Sequence, residues 1–65
     1  MVQMLRMRDV CKMLSISRSQ VRRLMASAGF PAPVKIGARV SAWVHAEIED
    51  WLERRIQESR GGVQE

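Results

Sequence analysis

The stretch that decides the fold of this chain is residues 17–29, which read SRSQVRRLMASAG. Ser17 and Gln20 are three positions apart, which is the spacing of a capping box at the start of a helix. Gly29 is the residue type that commonly follows the last turn of a helix. Between them, four apolar residues recur at intervals of three and four and predict one buried face: Val21, Leu24, Met25 and Ala28. The stretch therefore predicts a helix with one buried face and one basic, polar face.

A shorter helix is predicted just upstream, from Arg8 to Leu14. Val10 and Cys11 share an apolar face with Leu14, because residues four apart on a helix lie above one another. Only residues 15–17 separate this helix from the next one. Two helices joined by so short a turn, the second of them basic and capped by a serine, indicate a helix-turn-helix.

Two short strands are predicted downstream, over residues 34–36 and 41–43. The segment before them, residues 30–33, contains two prolines, which disfavour helical geometry in their neighbours. The two strands form a hairpin, and the length of its loop sets which residues face each other. A two-residue turn at residues 37–38 and a four-residue loop over residues 37–40 are the alternatives, and the longer loop is the one we predict.

The four-residue loop is favoured by the apolar pattern of the strands. It places Ile36 opposite Ser41 and Val34 opposite Trp43, which gathers three apolar side chains on one face. A hairpin that follows a helix-turn-helix is a wing. This register also places two basic residues at the surface of the wing, on its outer face and at its tip respectively: Lys35 and Arg39.

A last helix is predicted over residues 45–59, where four apolar residues form a helical stripe: Ile48, Trp51, Leu52 and Ile56. Residues 60–65 contain two glycines, which should end the helix and leave a flexible tail. The predicted fold is mostly α with a small β-hairpin wing, a winged helix-turn-helix of order α-α-β-β-α that occupies residues 1–59. Trp43 and Trp51 are assigned to its core rather than to base stacking.

The distribution of charge is the first indication of function. The chain has a net charge of +4, but residues 1–40 hold eight basic residues and one acid, a net charge of +7. Residues 41–65 hold three basic and six acidic residues, a net charge of −3. So large a positive charge on one half of a small domain is typical of a protein that binds a polyanion.

Composition argues against several other classes of protein. A chain of 65 residues has little room for a catalytic pocket within a scaffold, so we expect no enzyme and no cofactor. One cysteine cannot form an intramolecular disulfide, and Cys11 with His45 offers too few ligands for a metal site. No apolar run approaches the length that spans a bilayer, so a cytoplasmic protein without membrane contact is expected.

The candidate DNA-binding residues lie on the polar face of the second helix and on the wing. Helix-turn-helix proteins place the first turns of the second helix in the major groove, where arginine can pair with guanine and glutamine with adenine. Wing residues usually contact phosphate or the minor groove. The set is Ser17, Arg18, Ser19, Gln20, Arg22, Arg23, Lys35 and Arg39, with Ser17 acting chiefly as the helix cap.

The order of these features resembles the AlpA family of phage-type regulators, small winged helix-turn-helix proteins of the MerR-like and excisionase-like superfamily. The resemblance covers about residues 5–57 and depends on an ordered combination of short stretches. These are a basic first helix, the Ser-Arg-Ser start of the second helix, Phe-Pro-x-Pro-Val-Lys from residue 30, and Trp-x-x-x-Glu-Ile-x-x-Trp from residue 43. The chain departs from the family in having Ser15 where glycine is usual, and Gln20 and Arg22 where other residues are common.

The resemblance implies either a transcription factor or a directionality factor that favours excision of a prophage or mobile element. The expected partner is double-stranded DNA, read in a sequence-specific way, with an integrase or RNA polymerase as protein partner. We also expect a monomer that binds tandem DNA sites head-to-tail. The alternative is a small protein-interaction adaptor. For the head-to-tail contact and for the adaptor alike, we assign the protein contact to acidic residues of the last helix: Glu49, Asp50 and Glu53.

Overall fold

The computed structural model describes the backbone of residues 1–64 and the side chains of residues 1–61. Three helices surround a small antiparallel sheet of three strands. The predicted order α-α-β-β-α is confirmed, and one short strand precedes it. In chain order the elements are β1 (Met4–Leu5), α1 (Met7–Leu14), α2 (Arg18–Ser27), β2 (Val34–Gly37), β3 (Val40–Val44) and α3 (His45–Gln64).

The turn between α1 and α2 depends on Ser15, which adopts a left-handed backbone conformation with φ of 59° and ψ of 42°. The backbone N–H groups of Ser15 and Ile16 both point back to the carbonyl of Cys11, and the Ile16 bond is 3.0 Å long. The bond from Ile16 is the 6→1 bond of the Schellman motif, and the bond from Ser15 is the 5→1 bond of the αL motif. In both motifs the left-handed position usually holds glycine. Ser15 therefore occupies a glycine position, which strains its backbone.

The start and end of α2 follow the sequence prediction. The Gln20 backbone N–H donates to Ser17 Oγ at 3.3 Å, and the Ser17 backbone N–H donates to Gln20 Oε1 at 2.9 Å. Both hydrogen bonds of the capping box are thus present. After the helix, Gly29 is left-handed with φ of 67°, and the Phe30 N–H reaches the Leu24 carbonyl. Gly29 consequently turns the chain so that Phe30 enters the core.

The core is built around an aromatic cluster. The ring of Phe30 makes edge-to-face contacts with Trp51, at a centroid distance of 4.9 Å, and with Trp43, at 6.4 Å. Both indole N–H groups are satisfied, Trp43 by the Pro31 carbonyl at 2.8 Å and Trp51 by the Ala28 carbonyl at 3.1 Å. Both tryptophans are buried, so they are core residues as predicted. The largest fully buried side chains are Val10, Val21 and Ile48.

Strand β1 was not predicted. It pairs with β3 through Met4–Val44 and Leu5–Trp43, and β3 is therefore the central strand in the order β1-β3-β2. The His45 backbone N–H extends the pairing by donating to the Gln3 carbonyl at 2.8 Å. A strand of two residues is too short to show alternation in sequence, so only the tertiary contact reveals it.

The predicted register of the hairpin is wrong. Val34 pairs with Ala42, not Trp43, and Lys35 pairs with Ser41. Gly37 pairs with Val40, so the turn holds only residues 38–39. All of β2 is exposed, which means that packing never required its apolar residues to share the face of Trp43.

The observed register changes the position of Lys35. Directly paired residues share a face of the sheet, and neighbours along a strand lie on opposite faces. Lys35 therefore shares the face of Ser41 and of Trp43, rather than the outer face as predicted. Ile36 lies at a bulge between Lys35 and Gly37, and Arg39 lies in the turn, close to its predicted place at the tip.

Helix α3 begins at the predicted His45 but continues beyond the predicted end at residue 59, as far as Gln64. Glycine in a helix costs about 1 kcal/mol relative to alanine, and a cost of that size does not by itself end a helix. The division into a domain of residues 1–59 and a flexible tail of residues 60–65 remains a prediction. Glu65 lies outside the described residues.

Replacing Ser15 by glycine should stabilise the protein. The left-handed backbone costs a non-glycine residue about 1–2 kcal/mol, and the extra freedom of glycine in the unfolded chain returns about 0.4–1 kcal/mol of that. We expect S15G to raise the free energy of unfolding by about 0.5–1 kcal/mol, measured by urea titration followed by circular dichroism.

Two variants serve as controls for S15G. Ser15→Ala keeps the strain and should give no gain, whereas Ser19→Gly places glycine inside α2 and should lower stability. A loss of stability in S15G would show that the left-handed turn is not strained in this chain.

Candidate nucleic-acid interface

Four arginines from three parts of the fold line one concave surface. Arg6 and Arg8 come from the start of α1, Arg18 is the first residue of α2, and Arg39 lies in the wing turn. Together with Met7 and Ser41 they enclose about 430 Å³. We call this surface the basic groove.

The fold places these arginines through local geometry. The Leu5–Trp43 pair fixes β1 against the sheet, so Arg6 leaves the sheet next to the wing. The Arg6 backbone N–H then donates to Asp9 Oδ2 at 3.1 Å, which holds the start of α1. The left-handed Ser15 turns the chain so that α2 begins with Arg18 facing the same groove.

The basic groove concentrates positive charge that the described part of the chain does not neutralise. All four arginines are exposed, and none forms a salt bridge within residues 1–61. Between Asp9 and Glu47 the chain has six basic residues and no acidic residue. Close like charges repel each other, and a polyanion seated in the groove would remove that repulsion.

The predicted DNA-binding residues are all exposed, and two of the eight line the basic groove. Arg18 and Arg39 line the basic groove, and Lys35 lies on the face of the wing that Ser41 shares. The remainder lie along the exposed part of the first half of α2: Ser17, Ser19, Gln20, Arg22 and Arg23. Their assignment to DNA contact remains a proposal.

Sequence reasoning missed Arg6 and Arg8. Both contribute to the charge of the basic half, but nothing in the sequence places either of them near the wing. Their position beside Arg39 depends on the pairing of β1 with β3, which has no pattern in the sequence. In the sequence, only their charge indicates that they could belong to the binding site.

The side-chain oxygen of Gln20 is already hydrogen-bonded within the capping box. Its Oε1 accepts the Ser17 backbone N–H at 2.9 Å and lies 3.4 Å from Ser17 Oγ. Recognition of adenine by both atoms of a carboxamide needs the oxygen as well as the nitrogen. While the capping box is closed, only the Nε2 donor of Gln20 is available to a base.

The acidic candidates lie on a different surface. Glu49, Asp50 and Glu53 line a depression of about 460 Å³ between α1 and α3, which we call the acidic groove. Asp50 pairs with Arg54 at 3.1 Å along the helix, and Glu49 Oε1 lies 3.5 Å from His45 Nδ1. The apolar residues of the acidic groove are Met13, Ala46, Leu52 and Ile56. No residue lines both grooves.

Two further observations concern the described residues. No group of three or more histidine, cysteine, aspartate or glutamate side chains among them is arranged to hold a metal ion. In the same part of the chain, no helix has the length and the apolar character needed to cross a membrane.

Comparison with known proteins identifies the family. The family model for the prophage CP4-57 regulatory protein (AlpA) matches residues 3–56, which include the whole basic groove. An uncharacterised protein, ORF88 of Enterobacteria phage P4, is 33% identical over 58 residues, which are 89% of this chain and 66% of ORF88. The chain thus spans slightly less than two thirds of that relative. No solved structure matches. The sequence, the winged helix-turn-helix fold and the family model agree, and the chain belongs to the AlpA family of prophage regulatory proteins.

Proposed function

We propose that this protein regulates a prophage or mobile element by binding double-stranded DNA through the basic groove and the exposed face of α2. The observation that supports this most directly is the convergence of Arg6, Arg8, Arg18 and Arg39 on one concave surface with no salt bridge inside the described chain. Arginine is the residue best suited to phosphate because its planar guanidinium donates two parallel hydrogen bonds.

The proposed contacts are of two kinds, phosphate contacts that position the protein and base contacts that recognise the DNA sequence. The basic groove holds phosphates and fixes the position of the protein on the duplex, while α2 enters the major groove. Arg22 and Gln20 read bases there, and Arg23 and Ser19 make supporting contacts. Lys35 contacts the backbone from the wing, since its face is the one that continues into the basic groove.

The proposed regulatory outcome is either control of a promoter or direction of site-specific excision. The same DNA contact serves both, and they differ in the protein that acts nearby, RNA polymerase in the first case and an integrase in the second. A footprint of the tagged protein in its host separates them, because it lies next to a promoter or next to an attachment site. In both cases the role is regulatory rather than catalytic.

The adaptor alternative assigns function to the acidic groove alone. In support of it, Glu49, Asp50 and Glu53 lie beside exposed apolar side chains, which is a suitable composition for a protein contact. It gives no role to the basic groove, however. We therefore place the adaptor second.

We further propose that the free protein is a monomer that binds adjacent DNA sites cooperatively. One module of this size covers roughly 600–1,000 Å² on DNA and reads only a few base pairs, so a second copy is needed to select a site. The basic half of one copy and the acidic residues of α3 in the next favour a head-to-tail arrangement.

Affinity for DNA should depend strongly on salt. Each phosphate contact contributes a log–log slope of about −0.9, so two to four contacts per monomer give about −2 to −4. The measurement is fluorescence anisotropy of a labelled duplex at increasing salt concentrations. A slope near zero would contradict DNA binding through the basic groove.

Single arginine variants should separate anchoring from reading. Arg6→Ala and Arg39→Ala should weaken binding to all sequences alike and reduce the salt slope by about 1 each. Arg22→Ala should instead change base preference at one position, by about 1–3 kcal/mol for a bidentate contact. Arg60→Ala, an exposed arginine outside the basic groove, is the matched control and should bind as the parent does.

Gln20 variants should separate the capping role from base contact. Gln20→Glu keeps an oxygen that can accept the Ser17 N–H but removes the Nε2 donor, so stability should be preserved while base preference changes. Gln20→Ala removes both, and we expect a loss of about 1 kcal/mol in stability as well. Thermal unfolding and selection from random duplexes measure the two effects. If Gln20→Ala selects the parental sequences, Gln20 is a cap and not a reader.

A further inference from the structure

The wing carries an exposed aliphatic surface that DNA contact does not explain. Val34 is 44% exposed, Ile36 at the bulge is 58% exposed, and Val40 is exposed beside them. Val34 and Val40 lie on the opposite face of the hairpin from Lys35 and Ser41, because neighbours along a strand alternate. We call these three aliphatic residues the wing patch.

A second exposed apolar surface is the floor of the acidic groove. Met13 at the end of α1 and Ile56 on α3 are both exposed there, and Leu52 is half-buried between them. Glu49 and Glu53 line the same groove.

These two surfaces account for nearly all of the exposed apolar side chains. Beyond Met1 and Val2, every large exposed apolar residue among residues 1–61 belongs to one of them: Met13, Val34, Ile36, Val40 and Ile56. Scattered exposed apolar residues need no explanation, whereas two clusters on a domain of 65 residues indicate contact surfaces.

The charges around the two surfaces are opposite. The wing patch lies in the part of the chain without acidic residues, and Arg39 of the wing turn directly precedes Val40. The acidic groove has three carboxylates, of which Glu53 has no salt bridge within the described residues. The two surfaces therefore have opposite charge, and each has exposed apolar side chains that the other can cover. Two copies of the same surface would instead bring like charges together.

We propose that the wing patch of one copy docks into the acidic groove of the next copy on an adjacent DNA site. This inference rests on the proposed DNA binding and specifies the two surfaces that its cooperativity uses. Contact between two different surfaces is heterologous, so it can continue along DNA in one direction. The Lys35 and Ser41 face of the wing remains on DNA while the opposite face meets the neighbour.

The size of the two surfaces explains why the contact needs DNA. Stable protein interfaces bury more than about 1,000 Å² in total, and two clusters of three apolar side chains fall below that. Adjacent sites on one duplex raise the effective concentration of the second copy, so a weak contact becomes effective only there. The free protein accordingly stays monomeric.

The test compares duplexes that carry one site or two adjacent sites, taken from the footprint. Two variants remove one surface each, Ile36→Thr on the wing patch and Ile56→Gln in the acidic groove. Both residues are exposed, so folding should be unaffected, and circular dichroism checks this. Val2→Thr changes an exposed aliphatic residue outside both surfaces and serves as the matched control.

The parent and Val2→Thr should fill two sites with at least about tenfold cooperativity, the range of ordinary coupling between sites. Ile36→Thr and Ile56→Gln should each lose it while retaining parental affinity for a single site. An equimolar mixture of the two variants should regain cooperativity, because the intact wing of one can dock into the intact groove of the other. Only a heterologous contact gives this rescue.

Three outcomes would overturn the proposal. They are independent filling of two sites by the parent, cooperativity that survives in both variants, and a mixture that stays independent. The first would show that neighbouring copies do not interact, and the second that their contact uses other surfaces. The third would show that the two variants do not act on the two sides of one contact. Loss of single-site binding by the parent is a different result, since it would reject the proposed DNA binding itself.

Discussion

The packing of Phe30 between Trp43 and Trp51 is the interaction on which the rest of the structure depends. Phe30 lies three residues after the end of α2, Trp43 belongs to β3 and Trp51 to α3, so one ring connects α2, the wing and α3. A domain of this size buries few side chains, and aromatic residues contribute the largest area each. The two indole hydrogen bonds to Pro31 and Ala28 then fix the segment between α2 and the wing.

The basic groove is a consequence of that core rather than of any single motif. Trp43 pairs with Leu5 across the sheet, and this pairing carries Arg6 to the side of the wing. The turn at Ser15 sets the direction of α2 and so places Arg18. Charges that are far apart in sequence therefore converge because the apolar contacts beneath them are specific. The acidic groove, lined by Met13 of α1 and by residues of α3, shares no residue with the basic groove.

The sequence predicted features set by local chemistry and missed those set by distant contacts. The capping box of Ser17 and Gln20, the left-handed Gly29 and the apolar face of α2 each depend on residues within one or two turns, and all are present. Strand β1 and the hairpin register depend on pairing with β3, which is distant from β1 in sequence. The apolar pattern of β2 predicted the wrong register because all residues of that strand are exposed. The same limit applies to the site. The motif and the charge pattern identify Arg18 and Arg39 as candidate DNA-binding residues. The position of Arg6 and Arg8 beside them depends on strand β1, which the sequence does not predict.

The bulge at Ile36 has a consequence for solubility in the cell. Strand β2 is an edge of the sheet, and an exposed edge with aliphatic side chains is a template onto which a foreign strand can add. The bulge interrupts the regular spacing of backbone donors and acceptors between Lys35 and Gly37, so an incoming strand cannot pair along the whole edge. A regulator must reach a useful concentration without aggregating. The irregular hairpin lets the wing display aliphatic side chains while its backbone resists the growth of intermolecular β-sheet.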